Sequence, residues 1–267
     1  MTTLTLSQLN IYPVKSAAGL ALDQATVEVR GLQFDRRWMV TDLQGKFMTQ
    51  RKHPRMALMR VSVGDHLCIE APGQTALEIP LGPGQADTLK VEVWGDDTQA
   101  VFLGAEAQQW VSDFLQVPCQ LVYMPDSADR PTAHGKLGAD KLVSFADAYP
   151  FLLISEASLA NLNAKLDTPV PMNRFRPNLV VTGCDAHAED TWAQIRIGEI
   201  VFDLLKGCDR CSIPGVDQVT GIQGKEPLKT LATYRRWDSA IWFGQNLVQR
   251  NLGQLRVGDP VEVLAVK

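Results

Sequence analysis

Leu89-Lys90-Val91-Glu92-Val93-Trp94-Gly95-Asp96-Asp97-Thr98-Gln99-Ala100-Val101-Phe102-Leu103 reads as two short strands, Leu89–Trp94 and Thr98–Leu103, with a Gly-Asp-Asp turn between them. The same grammar fills the first third of the chain. Leu4–Val14, Ala25–Val29, Trp38–Asp42, Leu58–Val63 and Leu67–Ala71 all have strand length, and Asp-Leu-Gln-Gly and Gly-Asp mark turns among them. Many short strands at regular intervals predict a barrel or a strongly curved sheet. A helix follows at Ala105–Leu115, with Ala107, Trp110, Val111 and Leu115 at helical spacing and Pro118 as its expected stop.

Beyond this region, Pro125–Asp140 reads as a long exposed loop. Ser155–Asn163 is written as a second helix with Ser155 as its cap. Strands resume at Leu179–Thr182, Gln194–Ile197, Glu199–Leu205, Gln254–Val257 and Pro260–Ala265. The fold class is therefore mainly β with a few helices (α+β). Two β-rich lobes that share a cleft are expected, residues 1–122 and 123–267.

The chain has 267 residues, with 26 Lys and Arg against 30 Asp and Glu, for a net charge of −4. That balance argues against binding a nucleic-acid backbone through net charge. No apolar run is long enough to span a bilayer, and no basic segment leads into an apolar one at the amino terminus. A cytoplasmic protein without a membrane anchor is expected. Five cysteines are too few for a disulfide scaffold and odd in number, so reduced thiols are expected.

Chemistry concentrates in Cys208-Asp209-Arg210-Cys211, where a strand ends and a loop begins. A thiolate needs a nearby cation or a metal to stay deprotonated, and Arg210 and Lys206 are at hand. The pair has three readings: a buried structural pair, a redox dithiol, or metal ligation. The dithiol reading lacks a visible strand–helix–strand context. Zinc is one candidate metal, because Cys184-Asp185-Ala186-His187 precedes the pair at a compatible gap. Three further segments suit an anion: Tyr12-Pro13-Val14-Lys15-Ser16, Phe34-Asp35-Arg36-Arg37-Trp38 and Arg174-Phe175-Arg176-Pro177-Asn178. Pro177 is expected to hold Arg176 extended. His53, His66 and His134 form no triad, and no phosphate loop, dinucleotide fingerprint or nucleophile elbow occurs.

Taken together, these segments resemble one family over nearly the whole chain. Tyr12–Ser16, Phe34–Arg36 and Thr49–Arg55 are similar to the N-terminal β-barrel that accompanies MOSC domains. Ser144–Asp147, Pro150–Leu159, Phe175–Asn178, Cys208–Cys211, Glu226–Leu231 and Phe243–Leu247 are similar to the MOSC domain itself. Within that family, the chain resembles the bacterial N-hydroxyl-compound reductases and the mitochondrial amidoxime-reducing component.

The resemblance implies a β-barrel-like domain packed on a MOSC β-barrel, and a molybdenum cofactor, a pterin bearing a dithiolene and a phosphate. Cys211 matches the molybdenum ligand; Lys15, Ser16, Arg176, Asp209 and Arg210 match cofactor contacts. Arg36 and Asn178 belong to matching segments, while Tyr149 and Asn246 fall at contact positions that differ in the mitochondrial relatives. Those relatives carry an Arg where this chain has Phe34, so Arg36 or Arg37 is expected to supply the charge. The implied activity is reduction of small N-hydroxylated compounds, with Asp217 and Asp147 as the nearest proton-donor candidates. No iron–sulfur cysteine spacing is present, so a separate flavoprotein or ferredoxin-type donor is expected. The competing readings are a cofactor carrier or sulfur-handling protein, and a zinc-stabilised binding module.

Overall fold

The computed structural model describes residues 3–82, 88–132 and 141–267, so the second half of the Pro125–Asp140 loop, His134 included, lies outside the described residues. The expected hairpin forms as Thr88–Val93 against Asp96–Phe102, in register from Val93 opposite Asp96. It belongs to a four-stranded antiparallel sheet in the order Trp38–Asp42, Cys119–Tyr123, Asp96–Phe102, Thr88–Val93. Beside it lies a three-stranded meander, Arg60–Val63, His66–Glu70 and Leu77–Pro80. The last of these strands was not expected. Leu77-Glu78-Ile79-Pro80 alternates inward and outward, and its proline suits an edge position.

The helix Gly104–Leu115 closes this first core by inserting Trp110, Val111 and Phe114. Gln116 ends it in a left-handed conformation (φ 58°), two residues before the proline expected to stop it.

The second core lies against a nine-stranded sheet. Its path runs Val261–Val266, Trp192–Ile197, Ile200–Asp209, Ala240–Gln249, Phe151–Ser155, Leu179–Thr182, Thr5–Ile11, Leu20–Leu22, with Arg236–Trp237 beside Ala240–Gln249. Ala240–Gln249 and Phe151–Ser155 were legible only as motifs, not as strands. Phe151–Ser155 and Leu179–Thr182 run parallel, and the helix Glu156–Asn163 lies on their connection. Ser155 caps that helix by accepting a hydrogen bond from Ser158 N at 3.1 Å. A strand–helix–strand unit therefore exists, but the cysteine pair is at the end of another strand.

The position expected as a lobe boundary, residue 122, falls within Cys119–Tyr123. Pairing nevertheless crosses it. Thr5–Ile11 joins Leu179–Thr182, and Gln24–Glu28 joins Gly253–Arg256. The reason is hydrophobic: Leu6, Leu9 and Ile11 are buried with Phe151, Leu153 and Leu179 in one core. The first strand is shorter than the run Leu4–Val14, stopping at Ile11. Past it, Val14 bridges Trp38 and Lys15 N donates to Trp38 O at 2.7 Å, which carries the chain from one sheet to the other. The site forms at that crossing.

Candidate functional site: a cation-lined cleft with two cysteines

An open cleft of about 970 Å³, counting its mouth, lies where these segments meet. It is lined by Lys15, Ser16, Arg36, Asp147, Tyr149, Arg176, Asn178, Asp209, Arg210, Cys211 and Asn246. Every site residue expected from the sequence is thus brought together except Asp217. Arg51 and Lys206 also line the cleft. Sequence reasoning did not place Arg51 in the site, although the basic run Arg51-Lys52-His53 was a signal for it.

Three of the lining residues are held in left-handed backbone: Ser16 (φ 66°), Arg36 (φ 53°) and Arg176 (φ 58°). This conformation is uncommon for residues other than glycine and persists where surrounding structure over-determines it. Arg176 corrects an expectation, because Pro177 does not keep it extended. Its Nη1 donates to Ala17 O at 2.6 Å, its guanidinium lies 4.1 Å from the centre of the Tyr12 ring, and Tyr12 Oη donates to Pro177 O at 3.0 Å. Those bonds fix both ends of the dipeptide. Arg36 also lies over the Tyr12 ring, at 4.8 Å. Burial pushes the Tyr12 hydroxyl up to about 12, against the pull of Arg176 and Arg36.

The Phe34 position is now explained. Its ring packs against both hydrophobic cores instead of entering the cleft. Arg36 supplies the charge; Arg37 turns away to Asp126, Tyr123 Oη and Met124 O. Arg36 is paired with Asp35 and donates to Asn178 Oδ1 at 3.2 Å. Asn178 in turn donates to Asn10 O at 3.1 Å, so this amide ties the first strand to the cleft.

Lys15 is buried, and its ammonium donates to Phe145 O at 2.6 Å and Asp147 Oδ1 at 2.5 Å. Burial lowers the Lys15 pKa to about 8, against Asp147, which favours the charged form. Asp147 also meets Arg51 at 3.3 Å. Desolvation works to raise the Asp147 pKa, although about half of the side chain is exposed (52%), and Lys15 and Arg51 outweigh it and hold the carboxyl well below the usual range. Asp147 is therefore held as a carboxylate, which argues against the proton-donor role expected of it, since an acid must hold a proton near neutral pH. Asp217 is corrected differently. Its Oδ1 accepts from Val219 N, Thr220 N and Thr220 Oγ1, and its Oδ2 meets Arg174 at 3.2 Å, all outside the cleft lining.

The strand Ile200–Asp209 extends through Cys208, and Cys211 follows two residues past its end. Both cysteines line the cleft, and all five cysteines are free. Burial raises the Cys208 pKa despite Arg210, whose Nη1 donates to Cys208 Sγ at 3.1 Å. Arg210 Nη2 donates to Phe175 O at 2.8 Å, while its Nε is buried with no partner. The zinc arrangement does not assemble. Cys184 packs against the second core, His187 lies against Tyr234 and Phe243, and neither lines the cleft. Among the described residues no group of three or more metal-binding side chains forms.

The sequence matches the MOSC N-terminal beta barrel domain over residues 3–118 and the MOSC domain over residues 140–262. The chain belongs to the MOSC family, in the form that carries the N-terminal barrel. It is 38% identical to mitochondrial amidoxime-reducing component 1 of Mus musculus, over 97% of this chain and 82% of that protein. With component 1 of Homo sapiens the identity is 36%, over 97% and 83%. With component 2 of Bos taurus it is 36%, over 96% and 82%.

Proposed function

We propose that this protein is a molybdenum-cofactor-dependent reductase of N-hydroxylated compounds, giving the amine or amidine and water and drawing electrons from a separate redox protein. One observation carries the reading: a free thiol, Cys211, shares a cleft with six cationic side chains that have, among the described residues, only three carboxylate partners, Asp35, Asp147 and Asp209. The residues fit the cofactor. Among the described residues Arg176 has no carboxylate partner, and Arg51 Nε and Arg210 Nε are buried donors without acceptors. An anion with several oxygens meets that demand, and a soft metal meets the thiol.

Lys15, Ser16, Arg36 and Arg176 would hold the phosphate end. Asp209 and Arg210 would flank the metal end, and Cys211 would ligate it. Bound there, the cofactor supplies two-electron redox chemistry at a sulfur-ligated metal. The chain contributes position and charge: Tyr12 fixes Arg36 and Arg176, and Asp147 fixes Lys15. Overall, the N–O bond takes two electrons and two protons and leaves N–H and water.

The test is reduction of benzamidoxime driven by dithionite-reduced methyl viologen, with molybdenum and pterin measured on the same preparation. Cys211→Ser is expected to cut turnover by at least about 100-fold while the melting temperature stays put. Bound cofactor without turnover of any N-hydroxylated compound points to the carrier reading. Full activity in the serine variant removes Cys211 from its role.

A further inference from the structure

The two most exposed large apolar side chains among the described residues are Val219 (77%) and Ile222 (69%). Both sit on one turn, reached from Cys211 through the short helix Ile213–Gly215. This exposure is not slack chain. Asp217 Oδ1 accepts from Val219 N at 3.0 Å and Thr220 N at 2.8 Å, Asp217 N donates to Ile222 O at 2.8 Å, and Gly221 N donates to Asp217 O at 2.8 Å. The turn also rests on the other lobe: a Cβ placed at Gly221 would lie 3.5 Å from Leu58 and from Pro54 O, so the chain closely approaches the helix Pro54–Leu58. A structure this well tied presents its two aliphatic side chains to solvent in a fixed place.

Basic residues adjoin this patch along the chain: Lys225 follows the turn, and Lys52 and Arg55 flank Pro54, whose carbonyl the turn approaches. All three are exposed and form no ion pair among the described residues, and the Arg55 guanidinium lies 4.7 Å from the centre of the Phe114 ring. The carboxylates beside them are engaged, Asp217 with its own turn and Arg174, Glu226 with Thr230 N at 3.1 Å. Both borders continue directly from the cleft, since Arg51 and Ile213 line it. A rigid apolar centre with a charged rim is the anatomy of a transient protein interface. On a chain of net charge −4, a local basic rim orients an acidic partner that the rest of the surface repels.

We propose that the Val219–Ile222 turn and its basic border are the docking surface for the electron donor, a small acidic redox protein. The proposal rests on the reductase reading. Two encounters, each oxidising the donor by one electron, match the two electrons and two protons consumed per N–O bond.

The test uses the full chain loaded with cofactor and an acidic [2Fe–2S] ferredoxin as probe, with basic cytochrome c as the charge control. Binding is measured by calorimetry at low salt, and benzamidoxime reduction is driven either by reduced ferredoxin or by reduced methyl viologen, which needs no docking. The double variants V219D/I222D and K52E/R55E are each expected to weaken ferredoxin binding and ferredoxin-driven turnover by roughly tenfold or more, with viologen-driven turnover unchanged. K52E/R55E should also flatten the salt dependence. Binding by both variants equal to that of the parent chain overturns the proposal, as does no ferredoxin binding by the parent chain or equally tight binding of cytochrome c. Absence of viologen-driven turnover in the parent chain instead overturns the reductase reading, and the binding measurements still decide the surface.

Discussion

Gln245 and Asn246 are neighbours on one strand, so their side chains leave on opposite faces, and they enter two charged regions built on opposite rules. On the Gln245 side every charge is answered. Arg235 meets Asp190 at 2.6 Å, Gln245 Nε2 donates to Asp190 Oδ1 at 2.6 Å, and Lys267 Nζ donates to Gln245 Oε1 at 3.0 Å. Nearby Glu189 is buried and accepts from Ser155 N, Ser155 Oγ and Ser158 Oγ. On the Asn246 side, among the described residues, cations outnumber carboxylates and two buried guanidinium nitrogens, Arg51 Nε and Arg210 Nε, lack acceptors. The first region is closed and holds the fold. The second is left open, and an unanswered buried charge persists only where something outside the chain answers it.

The largest test of that contrast is Arg235→Ala. It leaves Asp190, about a quarter exposed, without its cation, and also deletes the bond from Arg235 Nε to Trp242 O. Breaking a well-buried pair costs about 3–5 kcal/mol; the partial exposure of Asp190 reduces this to about 2–3 kcal/mol. For a chain of this size, that is a fall in melting temperature of roughly 5–10 °C, readable by calorimetry. An unchanged melting temperature breaks the comparison on its structural side.

Arg176→Ala should behave in the opposite way. Burial already lowers the Arg176 pKa to about 10, the mark of a cation that the fold does not stabilise. Its removal forfeits one hydrogen bond to Ala17 O and relieves an uncompensated charge, so cofactor-free stability should move by less than about 1 kcal/mol. Cofactor retention should fall by about 10–100-fold, measured as pterin left after dialysis. If both variants lose stability alike, the two regions do not differ in kind.

Much of this was legible because it is local. Strand length, turn residues, the Ser155 cap and the anion-suited segments are properties of neighbours in sequence, and they formed nearly where expected. What escaped depended on partners far along the chain. Ala240–Gln249 is central because Ile200–Asp209 and Phe151–Ser155 flank it, and its Gly244 (φ +83°) admits a close approach in which a Cβ would lie 2.7 Å from Ile154. Apart from Leu20–Leu22, Thr5–Ile11 joins a sheet whose strands all begin at Phe151 or later. Asp147 and Asp217 are alike as letters. Only their surroundings, two cations for one and a turn outside the cleft lining for the other, argue against a proton-donor role for either.

The smallest expected effect concerns pH, and it sharpens the comparison within the cleft itself. Lys15 binds an anion only as ammonium, and its pKa is near 8 in the folded chain. Below that value the charge is present; as pH rises through it, the charge and the anion affinity are lost, by up to about tenfold per unit. The sign for stability is the reverse: the unfolded chain holds the Lys15 proton up to about 10.5, so the penalty of burying the charge is relieved between about 8 and 10.5. Asp147 is what keeps Lys15 charged as high as 8. Asp147→Asn should therefore move the pH of half-maximal cofactor retention downward, leaving retention near pH 6 close to that of the parent chain. A variant that loses cofactor equally at every pH would mean that Asp147 touches the cofactor directly, and that the cleft's carboxylates do more than set its charge.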